Sequence, residues 1–231
     1  MADSGAASGS GDAVPARTQV ERACRAIVEA AAKGRYLPGD RLVEGHIAKE
    51  LGISRVPVRE ALRVLESRGI VTSVPYKGMR LLPLSRRDVA EMIALREALE
   101  LFVLREAIGG DRPPQAWDRV AHSIALGQRA VEIDDGALMR RADHAFHRAL
   151  WHLAGNALVT EQLEILLERQ SLIWRCVDLH GRMSDAHAEH VAMLRHARAG
   201  ETEAAMATMS KHLHWLLTVD VEAAMRQRRG G

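Results

Sequence analysis

Ten of the eleven histidines in this 231-residue chain follow residue 120, and their spacing is more informative than their number. In Arg141-Ala142-Asp143-His144-Ala145-Phe146-His147, Asp143 and His147 stand four apart, so on a helix they share a face. His190, in Ala188-Glu189-His190-Val191, and His212, in Ser210-Lys211-His212-Leu213, fall on later segments with helical periodicity. A carboxylate and an imidazole one turn apart can both reach one divalent ion, and two imidazoles from neighbouring helices would complete the set. Surface or interhelical histidines are the plainer reading, and the residues alone leave both open.

A second group offers different chemistry. In Leu51-Gly52-Ile53-Ser54-Arg55-Val56-Pro57-Val58-Arg59-Glu60-Ala61-Leu62-Arg63-Val64-Leu65-Glu66, a tight turn feeds a short helix. Gly52 supplies a permissive backbone, Ser54 can cap the first turn, and Pro57 is tolerated within it. Val58, Leu62 and Leu65 form one apolar stripe. Arg55 and Arg59 sit four apart at the N-terminal end, where guanidinium forks suit phosphates and guanine edges in a DNA major groove. A solvated helix with scattered arginines is the competing reading.

These groups need elements to position them. Upstream, an amphipathic stretch (Val20, Cys24, Ile27, Val28, Ala31) ends at Lys33-Gly34, and Tyr36 to Leu42 reads as a turn. A short helix from about Glu44 to Leu51 then precedes the turn and the arginine-bearing helix, which makes a helix-turn-helix. Gly69 stops that helix. Ile70 to Val74, the turn Pro75-Tyr76-Lys77-Gly78, and Met79 to Leu82 read as a hairpin, the wing of a winged helix. Lys77 and Arg80 are placed there to touch phosphate or the minor groove.

Pro83-Leu84-Ser85 marks a boundary. Beyond it the pattern is helical throughout, with helices expected at about 85–108, 113–133, 135–154, 156–179, 184–199 and 201–226, separated by glycine, proline and Asp-Asp-Gly signals. Such helices can form an antiparallel bundle with an interior able to hold a ligand. The fold class is thus mainly α: an N-terminal winged helix-turn-helix over 17–84 and an all-α antiparallel bundle over 85–228. Residues 1–16, rich in Gly, Ala and Ser, read as a disordered tail without a signal-peptide pattern.

Net charge is only +2, so no general affinity for polyanions follows from the total. Residues 1–84 carry 13 Lys/Arg against 9 Asp/Glu, a net +4, and the remainder carries 19 against 21, a net −2. Cys24 and Cys176 lie far apart on apolar faces and are expected to be small buried hydrophobes, not disulfide partners. No apolar run reaches the roughly 18 residues of a membrane span, and a cytoplasmic location is expected.

The run Leu37-Pro38-Gly39-Asp40-Arg41-Leu42, then Glu44, then Leu51 to Leu62, then Leu65-Glu66 and Gly69, resembles the N-terminal domain of GntR-family bacterial transcription regulators. Val56 departs from the usual small hydroxyl residue, and Gly45 from an arginine found in one branch. The positions Asp143, Phe146, His147, Leu150, Asn156, Glu189-His190, Gly200 and His212 resemble the FCD ligand-binding domain of the FadR-type branch. The resemblance implies a homodimer that sets two recognition helices in successive major grooves of a pseudo-palindromic operator. It also implies base-edge or phosphate contacts from Arg55 and Arg59, backbone positioning by Ser54, Arg41 and Lys77, and Val56, Pro57 and Gly78 at the same surface.

In the second domain the resemblance implies Asp143, His147, His190 and His212 as ligands of one divalent metal, zinc first and nickel or manganese next. His144, His152, His187, His196 and His214 do not match ligand positions. Arg96 and Glu100 match the first FCD helix, and Arg96 there would clamp the carboxylate of a small organic-acid effector, with a surface salt bridge as the alternative. The implied function is effector-controlled transcription regulation, most often repression. Two rivals are a metal-dependent enzyme fused to a DNA-binding module and a regulator for which the metal is the signal. Against the enzyme, no His-Glu-x-x-His arrangement or general base stands beside the ligands.

Overall fold

A computed structural model describes residues 16–174, 177 and 180–230. The expected tail over residues 1–15 and the expectation for Cys176 lie outside the described residues. The chain divides into two compact units at Leu82 and Pro83, with the short segment Leu37–Gly39 clustering with the second.

The first unit is built from α1 (Ala16–Ala32), α2 (Glu44–Leu51), α3 (Arg55–Ser67) and a hairpin of β1 (Val71–Val74) and β2 (Gly78–Leu81). Helix α1 therefore begins at Ala16, the last residue of the expected tail. Ala23, Ile27 and Ala31 recur at helical spacing on α1 and are buried with Val58, Leu62 and Leu65 of α3, which fixes the recognition helix on a rigid base. Gly52 ends α2 at φ +65°, a left-handed conformation that costs glycine little. The hairpin is antiparallel, pairing Val71 with Leu81 and Val74 with Gly78. Arg41 bridges to Arg80 beside it, so the segment before α2 is tied to the wing.

The second unit contains α4 (Arg86–Gly109), α5 (Asp118–Glu132), α6 (Gly136–Ala154), α7 (Ala157–Trp174), α8 (Met183–Arg198), α9 (Thr202–His214) and α10 (Val221–Gly230). Several starts have a local cause. Ser85 and Asp88 form a reciprocal capping box on α4. Asp135 accepts from Ala137 N at 2.8 Å and Leu138 N at 2.9 Å to open α6, and Asn156 accepts from Val159 N to open α7.

Two expectations are corrected. The helix expected over 201–226 is broken: α9 ends at His214, a 3₁₀ turn covers Trp215–Thr218, Val219 is extended, and α10 starts afresh. The Asp220 carboxylate accepts from Ala223 N at 2.9 Å. That capping bond holds Asp220 outside the helix, so the side chain competes with a continuous backbone ladder. Ser54 occupies the N-cap position of α3 but makes no capping hydrogen bond, which leaves its hydroxyl to the exposed surface.

Candidate metal centre and nucleic-acid interface

Helix α6 carries Asp143 and His147 on one face, and that face turns inward because Ala142, Phe146 and Leu150 around it are buried. Helices α8 and α9, packed on each other, bring His190 and His212 to the same point. All four side chains are buried, and one ligand atom from each lies within 4.8 Å of the others. Asp143 Oδ1 is 3.2 Å from His212 Nε2 and 3.3 Å from His190 Nε2, and His147 Nε2 is 3.9 Å from Asp143 Oδ2. His147 Nε2 and His212 Nε2 are 3.5 Å apart.

The back of each imidazole is also organised. His212 Nδ1 is 3.0 Å from Glu189 Oε2, and Glu189 in turn pairs with Arg182 and lies 3.4 Å from Lys211. His147 Nδ1 is 2.9 Å from Glu100 Oε1, an ion-pair distance, although the approach does not meet hydrogen-bond geometry. Glu100 accepts from Arg96 Nε and Nη2 at 3.1 and 3.0 Å and from Trp151 Nε1 at 2.9 Å. Phe146 stacks on the His190 ring at 4.1 Å. Carboxylates behind two of three imidazoles fix ring orientation and tautomer, aiming the Nε2 lone pairs at the common point.

Charge favours cation binding. Burial pushes the Asp143 carboxyl up, but the charge of His147 and the close approach of His190 and His212 more than offset it and hold it well below the usual range. Burial lowers His147 and drives His190 down to about 3, so both rings are neutral at physiological pH. His212 is raised, because Asp143 and Glu189 on either side outweigh its burial. Asp143 Oδ2 and His190 Nε2 are buried without a hydrogen-bond partner. Such atoms are costly unless something satisfies them, and a divalent cation would satisfy both. The residues present fit the metal that the sequence implies.

A cavity of about 40 Å³ opens beside the cluster, with Asp143 and His212 in its wall. Its other polar groups include Gln170 and Arg182, and Trp174, Met183, Trp215 and Leu216 supply apolar wall. Arg96 is not among its lining residues. It is 1% exposed and its guanidinium is engaged by Glu100 and Gln170, so Arg96 is neither at the cavity as the expected carboxylate clamp nor in the alternative surface salt bridge, but in a buried ion pair. Arg182 has no strong sequence signal, since it lies in a 3₁₀ turn (His180–Arg182) without periodicity. His144 stacks on Trp174 at 5.3 Å, and His214 reaches Glu97 at 2.8 Å on the surface.

In the first unit, Ser54, Arg55, Val56 and Arg59 are exposed at the start of α3, and Lys77 is exposed on the wing. Pro57 is buried, so it shapes the first turn from inside. Arg59 makes a two-pronged ion pair with Glu44 of α2, Nε to Oε1 at 3.0 Å and Nη2 to Oε2 at 2.9 Å. The Arg55 guanidinium lies over Gly45, where a Cβ would meet it at 3.4 Å, and Arg41 lies over Gly78 at 3.8 Å. Gly45 thus admits a second arginine fork close to the Glu44–Arg59 pair.

Comparison with known proteins yields two family matches. Residues 19–81 match the bacterial regulatory proteins of the gntR family, and residues 91–214 match the FCD domain. An HTH-type transcriptional regulator of Agrobacterium vitis is 33% identical over 147 residues, covering 61% of this chain and 83% of that protein. The "Probable D-xylose utilization operon transcriptional repressor" of Paenarthrobacter nicotinovorans is 28% identical over 187 residues, 81% of this chain and 82% of that protein. The solved structure of E. coli McbR/YncC shares the fold, with a TM-score of 0.74 at 20% identity over 91% of this chain and 98% of that one.

Proposed function

The chain belongs to the gntR family of bacterial regulatory proteins and carries an FCD domain, and from that footing we propose a metal-containing repressor released or engaged by a small carboxylate. It is a transcription regulator and not an enzyme, as its relatives are. Repression is favoured because two of the relatives are named as operon repressors.

The observation that carries the reading is the buried Asp143, His147, His190 and His212 cluster beside a cavity. These four residues would hold one divalent ion, zinc before nickel or manganese, since three imidazoles disfavour magnesium and calcium. When bound, the ion supplies a Lewis-acidic centre with positions left for an effector's oxygens. The rest is the chain's own. Glu100 and Glu189 orient the imidazoles, the apolar wall excludes water, and the cavity's cationic edge accepts an anion. For occupancy to change, the effector must bind the DNA-competent and incompetent arrangements with different affinities.

On DNA, Arg55 and Arg59 are the base-edge or phosphate contacts, with Ser54, Arg41 and Lys77 on the backbone. A single helix-turn-helix per chain offers too few contacts for strong specificity, so two copies bind a pseudo-palindrome. The outer face of α4 supports this arrangement, because Leu95 and Phe102, seven residues apart, are 52% and 42% exposed.

The test begins with recovery of the operator by selecting bound fragments of the chromosome. Metal and organic acids are then titrated separately against that operator. Acid-dependent release or engagement only with metal present is the expected result. A response to metal alone favours the metal as signal, and no response to either refutes the regulatory site.

A further inference from the structure

Resting on that reading of the metal-lined cavity, we infer that Arg182 is the residue that grips the effector's carboxylate, and that the effector is a short monocarboxylate with an apolar body. Arg96 cannot take this role without leaving Glu100 and Gln170, which hold it inside the unit behind the cavity. Arg182 faces the cavity itself. It is 8% exposed, and its Nε is buried without a hydrogen-bond partner. Its guanidinium lies 5.4 Å from the Trp215 ring centroid, and the fork is paired with Glu189.

That arrangement is a cation held by a borrowed carboxylate. Glu189 is shared three ways, among Arg182, His212 Nδ1 and Lys211. A carboxylate entering beside Asp143 and His212 meets the Arg182 fork within the same cavity and offers it a two-oxygen partner. Glu189 would then be left to His212, the metal-facing imidazole. Effector binding and the orientation of His212 are coupled through one exchange of ion pairs at Glu189.

Size and polarity set the class. The cavity of about 40 Å³ is well below the ~150 Å³ that accommodates a benzene ring. Beyond the carboxylate-binding end its wall is mostly apolar, with Met139, Trp174, Met183, Leu213 and Leu216, and Arg140 and Gln170 are its further polar groups. Each unmatched hydroxyl would lose hydrogen bonds to water. At this size the smallest carboxylic acids are favoured and a six-carbon polyhydroxylated acid is excluded.

The experiment uses the full-length, zinc-loaded protein with propionate and gluconate as probes, read by calorimetry, tryptophan emission and zinc content. Wild type should bind propionate in preference to gluconate and change its emission as Arg182 shifts on Trp215. Arg182→Met should bind propionate about tenfold or more weakly with zinc per chain unchanged. Arg182→Lys, which keeps a cation at the site, should fall between them. Trp215→Phe should lose most of the emission change. The inference is overturned if zinc-loaded wild type does not bind propionate, if gluconate binds more tightly, or if Arg182→Met and Arg182→Lys bind within twofold of wild type. Propionate binding that survives chelation but fails in Arg182→Met would keep the Arg182 clamp and refute the metal reading instead.

Discussion

Replacing Glu100 by Gln tests the organisation behind the metal cluster most severely, because the two side chains have nearly the same shape. Glu100 is fully buried, and its two oxygens serve Arg96, His147 and Trp151. An amide has one acceptor end, so either Trp151 or the Arg96 and His147 side must face an NH₂ donor. Burial pushes the Glu100 carboxyl up, but His147 and Arg96 pull it down to about 2 from 4.5. Orphaning one member of a buried ion pair such as Arg96–Glu100 typically costs about 3–5 kcal/mol. For a unit of this size the metal-free melting temperature should fall by roughly 6–20 °C.

Because the native pKa is lowered, the stabilisation is complete above the unfolded value and disappears as pH falls through about 2. The difference between wild type and Glu100→Gln, measured by thermal melts of metal-free protein, should therefore be flat from pH 7 to 5 and shrink below about 4.3. Zinc affinity, measured by chelator competition, should fall about 10–100-fold as His147 loses its orienting partner. A melting temperature within about 2 °C of wild type together with unchanged zinc affinity would refute the reasoning.

Two further outcomes concern DNA and assembly. Arg59→Ala should weaken operator binding by about 1–3 kcal/mol with little change in melting, since Arg59 is 56% exposed and its pair with Glu44 is a surface one; equal affinity by gel shift or anisotropy would remove Arg59 from the interface. Leu95→Glu combined with Phe102→Glu should convert a dimer to a folded monomer by light scattering, because both side chains are exposed within one chain; an intact dimer would move the interface elsewhere.

Periodicity and spacing make the helix-turn-helix and the wing legible, whereas the set Asp143, His147, His190 and His212 rests on the resemblance to the FCD domain, since spacing alone leaves surface histidines equally open. Periodicity reports which face a residue occupies but not how deep it lies. Arg96 and Glu100 therefore read equally as a surface pair, whereas α4 buries them against Trp151 and Gln170. The break at Trp215–Thr218 was hidden for a different reason. A single Asp220 cap decides it, and an aspartate within an apolar-periodic stretch is ordinarily a solvated side chain. Arg182 falls in a 3₁₀ turn between longer helices, where no repeat pattern assigns a direction to a side chain.

The metal content of the purified protein bears most directly on the account as a whole, compared across wild type, His212→Ala and His214→Ala. His212 lies between Asp143 and Glu189, whereas His214 points to the surface and Glu97. One divalent ion per chain in wild type and in His214→Ala, with a clear loss in His212→Ala, is the predicted result. Equal loss in both variants, or no divalent metal taken up by wild type at neutral pH, would contradict it.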